Sequence, residues 1–185
     1  MIRPWTAPLS DPSQALAQRF RDLVPVIATP RTTLRAPRLE DFAAWHSIVG
    51  GPRGVHIGGP MAEDEAWSEF CAGLAVWTLR GHGMWTIAGP GDAVLGFVLI
   101  GFEPGDQEHE LGYLLCEGAE GQGYATEAAA AVRDYALNVL CLPSLAVYVA
   151  PDNRRSAAVA ARLGAVKDGM IDACDVWRHH PKREA

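Results

Sequence analysis

At 185 residues, with 49% hydrophobic and 21% charged residues, the chain has the size and composition of one globular domain with a sizeable core. A net charge of -6 and a pI near 5.5 argue against a bulk electrostatic grip on nucleic acid or an anionic membrane, so any bound phosphate must be held by local geometry. No apolar run approaches the roughly 18 residues of a membrane span, the N-terminus lacks a signal peptide's apolar core, and Cys71, Cys116, Cys141 and Cys174 form no C-x-x-C pair, which predicts reduced, mostly buried thiols in a cytoplasmic protein without a metal site or disulfides.

Residues 1–30 carry five of the thirteen prolines and cannot form one continuous element. Asp11-Pro12 opens a short helix with the apolar stripe Ala15, Leu16, Phe20, Leu23 and Val24, which predicts an N-terminal extension packed on the domain or on a second subunit. Arg31–Pro37 alternates and predicts a first strand, and apolar residues at 39, 42, 45, 48 and 49 then follow at helical spacing. Gly50–Pro60 is a glycine- and proline-rich loop longer than a simple connector, with Arg53 and His56 as its only ionisable members. Across 63–80, Ala66, Trp67, Phe70, Leu74 and Trp77 lie at helical spacing behind an acidic first turn, and these aromatics read as core. Met84–Ala88 and Val94–Phe102 read as a hairpin, and the turn Glu103–Asp106 leads into a strand at Glu110.

The most informative stretch runs from Leu111 to Ala131. Its apolar run gives way to glycines at 118, 121 and 123, and an alanine-rich helix opens directly after them. A helix N-terminus has unpaired N–H groups and partial positive charge, and glycines let a phosphate approach the backbone closely. The plain alternative is a helix start with no ligand. Beyond a helix over 123–140, with apolar positions 125, 128, 129, 132, 136 and 139, Leu145–Val149 reads as a strand. Strand, helix, strand at this length predicts a crossover with parallel flanking strands. Asp152-Asn153 caps a further helix ending at Gly164, two last strands follow at 166–170 and 174–177, and the tail is charged.

The G-x-G also invites a dinucleotide reading, but the third glycine of that fingerprint falls on Thr126, and there is no G-K-[ST] of a nucleoside-triphosphate loop. Four motifs in order carry a better match: Glu110-Leu-Gly-Tyr113, then Glu120-Gly-Gln-Gly-Tyr-Ala-Thr-Glu-Ala128, then Asn153-Arg-Arg-Ser156 and Leu163-Gly164. Over roughly residues 30 to 180 the chain resembles the GNAT N-acetyltransferase superfamily, and more narrowly its ribosomal-protein N-terminal acetyltransferase branch. The resemblance implies an α/β domain over 31–180 with a mixed, mostly antiparallel twisted sheet of about seven strands, helices on both faces and a parallel crossover at the cofactor turn.

The resemblance also implies acetyl-CoA as cosubstrate and an amine acceptor. Gly121, Gln122, Gly123, Tyr124 and Ala125 would hold the CoA pyrophosphate, with Thr126 beside them, while the strand Tyr113, Leu114 and Leu115 would present main-chain groups to pantetheine. Asn153 would bond pantetheine, and the Gly50–Pro60 loop would border the acceptor pocket. Acetyl transfer needs a neutral amine and a donor for the departing thiolate. Glu110 matches the position that supplies the base in several relatives, directly or through water, its plain reading being a strand-surface carboxylate; Ser156 would be the donor, because the superfamily's more usual tyrosine position holds Ala160. Capping is the plain reading of Asn153 and Ser156. Glu120 stands where many members have Gln or Arg, and its carboxylate is expected to face solvent. The chain is read as an enzyme acting on a peptide N-terminus or a small amine, as a monomer or homodimer, with no metal, nucleic acid or membrane partner. The alternative is a CoA-binding sensor without productive catalysis.

Overall fold

The structure is a computed structural model that describes residues 3–181; the first two residues of the N-terminal extension and residues 182–185 of the charged tail lie outside the described residues. Helix α1 (Asp11–Arg21) begins where Pro12 pre-sets a helical φ, but it buries no residue, and Leu16 and Phe20 of its apolar stripe remain more than half exposed. After β1 (Ile27–Ala28) and β2 (Thr33–Arg35) come α2 (Phe42–Val49), α3 (Glu63–Arg80), β3 (Met84–Ala88), β4 (Val94–Gly101), β5 (Glu110–Leu115), α4 (Tyr124–Asn138), β6 (Leu145–Val149), α5 (Arg154–Arg162), β7 (Val166–Ile171) and β8 (Cys174–His179).

The strands form one eight-stranded sheet in the order β1-β2-β3-β4-β5-β6-β8-β7. The expected seven become eight because Ile27 pairs with Leu34, so the sheet begins inside the segment read from sequence as the extension. Every neighbouring pair is antiparallel except β5 and β6, the pair that α4 connects. The β5 ladder with β4 is continuous from Gly101↔Glu110 to Gly96↔Leu115, whereas its register with β6 is confined to Glu110↔Ala146. The edge of β5 beyond Glu110 is thereby left to face something other than β6.

Alternation sends side chains of β5 to two different cores. Leu111, Tyr113 and Leu115 pack with Ala128, Ala129, Val132 and Ala136 of α4, while Leu114 packs with Phe42, Trp45, Phe70 and Phe97 on the face covered by α2 and α3. Helices therefore cover both faces, and each buried Leu, Phe or Val stabilises by about 1.5–3 kcal/mol. Val139, expected on the buried stripe of α4, is 63% exposed because it is the C-cap, where helical periodicity has ended. The thiols also depart from expectation: all four are free, but Cys71 and Cys141 are exposed and Cys116 and Cys174 only half-buried. Cys71 lies on the outer surface of α3, Cys141 just past the end of α4 and Cys174 at the start of β8, while Cys116, just past β5, packs against the core on the face covered by α2 and α3.

A buried ion pair locks β2 to the start of α2. Arg35 Nη1 lies 2.7 Å from Asp41 Oδ2, and Thr86 Oγ1 donates to the same oxygen at 2.8 Å. Arg35 Nε also donates to Asp92 at 2.7 Å.

Candidate active site

The turn between β5 and α4 is built by backbone conformation. Gly121 has φ 73° and Gly123, the N-cap of α4, has φ 84°. A residue with a Cβ would pay roughly 1–2 kcal/mol at each, so glycine is dictated. No side chain caps the helix, so its first N–H groups have no side-chain partner, and the positive end of its dipole lies at the turn.

Sequence reasoning missed the strap that holds this turn. Arg31 Nη1 donates to Gln122 O at 2.9 Å, its guanidinium lies 4.5 Å from the Tyr124 ring centroid, and its Nε meets Glu127 Oε2 at 2.7 Å. Glu127 also accepts from Thr29 Oγ1 at 2.6 Å and from the Arg31 N–H at 2.8 Å. Partners about 90 residues apart in the chain leave no local spacing to read. Gln122 folds its side chain back, Nε2 donating to Gly118 O at 2.7 Å.

A groove of about 1470 Å³ runs from this turn along the unpaired edge of β5. That exceeds the roughly 300–1,000 Å³ of an ordinary small-molecule pocket, as an elongated ligand requires. Of the expected residues, Tyr113, Leu114, Leu115, Gly121, Gly123, Ala125, Thr126, Asn153 and Ser156 line it. Gln122 and Tyr124 belong to the turn but not to the lining, and Glu110 lies outside it, where β5 meets β6. Arg53, Arg154, Arg155 and Arg162 also line the groove, interleaved with the carboxylates of Glu120, Glu127 and Asp152.

The loop after α2 closes one side. Its 3₁₀ turn, Pro52–Ile57, lies tight on α2 because a Cβ on Gly54 would sit 2.2 Å from Val49 O. From this turn Arg53 Nε reaches Glu120 Oε1 at 3.0 Å, and from α5 Arg155 Nη1 reaches Glu120 Oε2 at 2.6 Å. Glu120 thus does not simply face solvent as expected. Its carboxylate is tied to two arginines from opposite banks of the groove, which resolves the repulsion it would otherwise exert on an anion at the turn.

Near the start of β5 the environment turns acidic. Burial first, then the carboxylates of Asp106 and Glu103, push the Glu110 carboxyl up to about 7, against a smaller opposing effect of the Tyr148 backbone N–H. Glu103 is itself raised, by burial and then by Glu69 and Asp106. Asn153 is the N-cap of α5, with Oδ1 accepting from the Ser156 N–H at 3.1 Å, so the capping reading holds. Ser156 also meets Tyr113, whose hydroxyl lies 3.0 Å from both Ser156 O and Ser156 Oγ. Tyr113 was expected to act through its main chain, and its side chain adds a contact that no motif spacing announced. Ala160 is fully buried, so α5 offers no tyrosine of its own here. Among the described residues no group of three His, Cys, Asp or Glu side chains is arranged to hold a metal ion, and no helix is long and apolar enough to cross a membrane.

The mixed sheet parts at its one parallel pair, with a glycine-built turn at the parting, and the comparisons with known proteins place this architecture among the acyltransferases. The model of the acetyltransferase (GNAT) domain matches residues 31–166, and the chain belongs to that family. An acetyltransferase from Agrobacterium tumefaciens is 42% identical over 85% of this chain and 95% of its own, with a TM-score of 0.81. RimL, a ribosomal alpha-N-protein acetyltransferase in complex with coenzyme A, is 17% identical over 86% of this chain and 100% of its own, with a TM-score of 0.69. RimJ of Mycobacterium smegmatis, with a CoA disulfide, is 23% identical over 84% of this chain and 86% of its own, with a TM-score of 0.64. At those identities RimL and RimJ speak to the fold alone.

Proposed function

We propose that this acetyltransferase moves the acetyl group of acetyl-CoA directly to a primary amine, with both substrates bound together. In this reading the N–H groups from Gly121 to Ala125, with Thr126, hold the pyrophosphate, and the free edge of Tyr113–Leu115 takes the pantetheine arm. Asn153 contributes a further polar contact to that arm, and Ser156 faces the sulfur.

The observation that carries the reading is Glu110. It stands where the parallel ladder ends, and burial and its acidic neighbours hold its carboxyl near 7. A base with that value is matched to neutral pH, and it can take the proton of an α-amine whose own pKa is about 7.7–8.0. Glu103 and Asp106 close by favour the approach of a cationic amine. Protein N-termini and small-molecule amines are the two acceptor classes to try.

The test is thermal unfolding with acetyl-CoA, with NAD and ATP as controls. Ligand at 100 times its dissociation constant stabilises by about 2.7 kcal/mol, a rise of roughly 5–11 °C for a chain of this size. No rise in folded protein overturns the cofactor assignment. Tight binding with no turnover on any amine replaces the enzyme by a CoA-binding module.

A further inference from the structure

The phenol of Tyr113 has one proton and two acceptor-capable neighbours, both on Ser156 and both at 3.0 Å. A carbonyl oxygen only accepts, so the bond to Ser156 O uses the phenol's proton. The bond to Ser156 Oγ is then one in which the serine donates. In that arrangement the serine proton points at the phenol and away from the groove, although both residues line it. The two acceptors are equidistant, so the phenol can exchange one for the other by rotation of its O–H alone. Doing so makes it the donor to Oγ and frees the serine proton to turn into the groove.

We propose that Tyr113 is a positioning residue for Ser156: it parks the serine hydroxyl in the resting site and, as a thiolate forms, donates to Oγ while Ser156 donates to the sulfur. The inference rests on the reading that Ser156 faces the CoA sulfur. No bond is made or broken in the exchange; two hydrogen bonds change direction, and both hydroxyls keep their protons. Burial, the largest effect on the Tyr113 phenol, pushes it up to about 12, which keeps it a donor throughout the working range. The buried Ala160 on α5 leaves room for this division of labour, with the phenol supplied from β5.

The test needs no acceptor amine. CoA is bound to the full-length protein, and its thiol is titrated by the ultraviolet absorbance of the thiolate. In wild type the bound thiol should ionise at lower pH than free CoA. Tyr113→Phe should raise its midpoint by about one pH unit, tenfold less thiolate at a given pH, read at CoA concentrations that saturate the variant. Ser156→Ala should do the same, and the double variant should add nothing, since the two act as one unit. A Tyr113→Phe midpoint equal to wild type overturns the proposal, as does additivity. If neither variant moves the midpoint while CoA still binds, Ser156 is not at the sulfur, and the proposal falls while the cofactor assignment stands. Failure of wild type to bind CoA sinks both, and is told apart because it appears before any substitution. Should Tyr113→Phe not fold, 3-fluorotyrosine at 113 keeps the bond and sharpens the donor; the bound midpoint should then fall, and an unchanged one overturns the proposal.

Discussion

Replacing Glu110 by glutamine should make the protein more stable and less active. The folded carboxyl titrates near 7 against an ordinary value of 4.5, chiefly because it is buried. Between those values the folded chain holds a proton that the unfolded chain releases, so stability is fully present below 4.5 and is lost as pH rises through 7. At about 1.4 kcal/mol for each pH unit between the two, keeping the carboxyl ionised in the fold costs about 3 kcal/mol. Glutamine has nearly the same shape and no charge to desolvate. Wild type and Glu110→Gln should therefore melt alike at pH 4.5, and the variant should melt about 6–12 °C higher at pH 8. Circular dichroism melts across that range measure it. In the same preparation turnover on the best amine should fall by about 10²–10⁴-fold, the usual worth of a general base. A melting difference that does not change with pH refutes the account of the buried carboxyl, and unchanged turnover refutes the base.

Burial, then Arg133, hold His179 down to about 4, below its ordinary 6.5, so it stays neutral in the fold while the unfolded chain takes up a proton. The stability this gives is present above 6.5 and lost as pH falls toward 4, by up to about 3 kcal/mol; His179→Leu should flatten the fall in urea midpoint between pH 7 and pH 5. Asp41→Ala takes away the two-point partner of the buried Arg35 guanidinium and the acceptor of Thr86, leaving Arg35 only Asp92 as a carboxylate partner, and should cost about 1–3 kcal/mol in urea unfolding, whereas no measurable loss would mean that Asp92 and water satisfy Arg35. Gly123→Ala forces a Cβ onto φ 84° and should lower stability by about 1–2 kcal/mol and abolish the melting rise with acetyl-CoA, which calorimetry reads directly.

The elements legible in the sequence were those with strong periodicity or punctuation. The hairpin of β3 and β4, the crossover through α4 and the Asn153 cap fell where hydrophobic spacing, glycine and asparagine placed them. The two-residue β1 was not legible, because Ile27 and Ala28 alternate over too short a run and are fixed by pairing with β2. In the site, the turn and the groove lining from β5 and α5 could be read as motifs. The long-range contacts could not: Arg31 on Glu127, Arg53 on Glu120 and Tyr113 on Ser156 join residues that only the folded chain brings together. The cysteines are less buried than their type suggests, since only Cys116 packs against a core and none is fully enclosed.

Glu120 has a consequence for selectivity. Arg53 and Arg155 are already neutralised by a carboxylate of the protein itself, at 3.0 and 2.6 Å. An anion that takes these arginines must evict Glu120 into water, so it gains only the difference between two ion pairs. Free chloride or a lone phosphate then has little advantage over the resident carboxylate, whereas a ligand anchored elsewhere along the groove brings its charge at high effective concentration and can displace it. The arginine pair is in effect a guarded socket, opened by molecules that are already held by the turn.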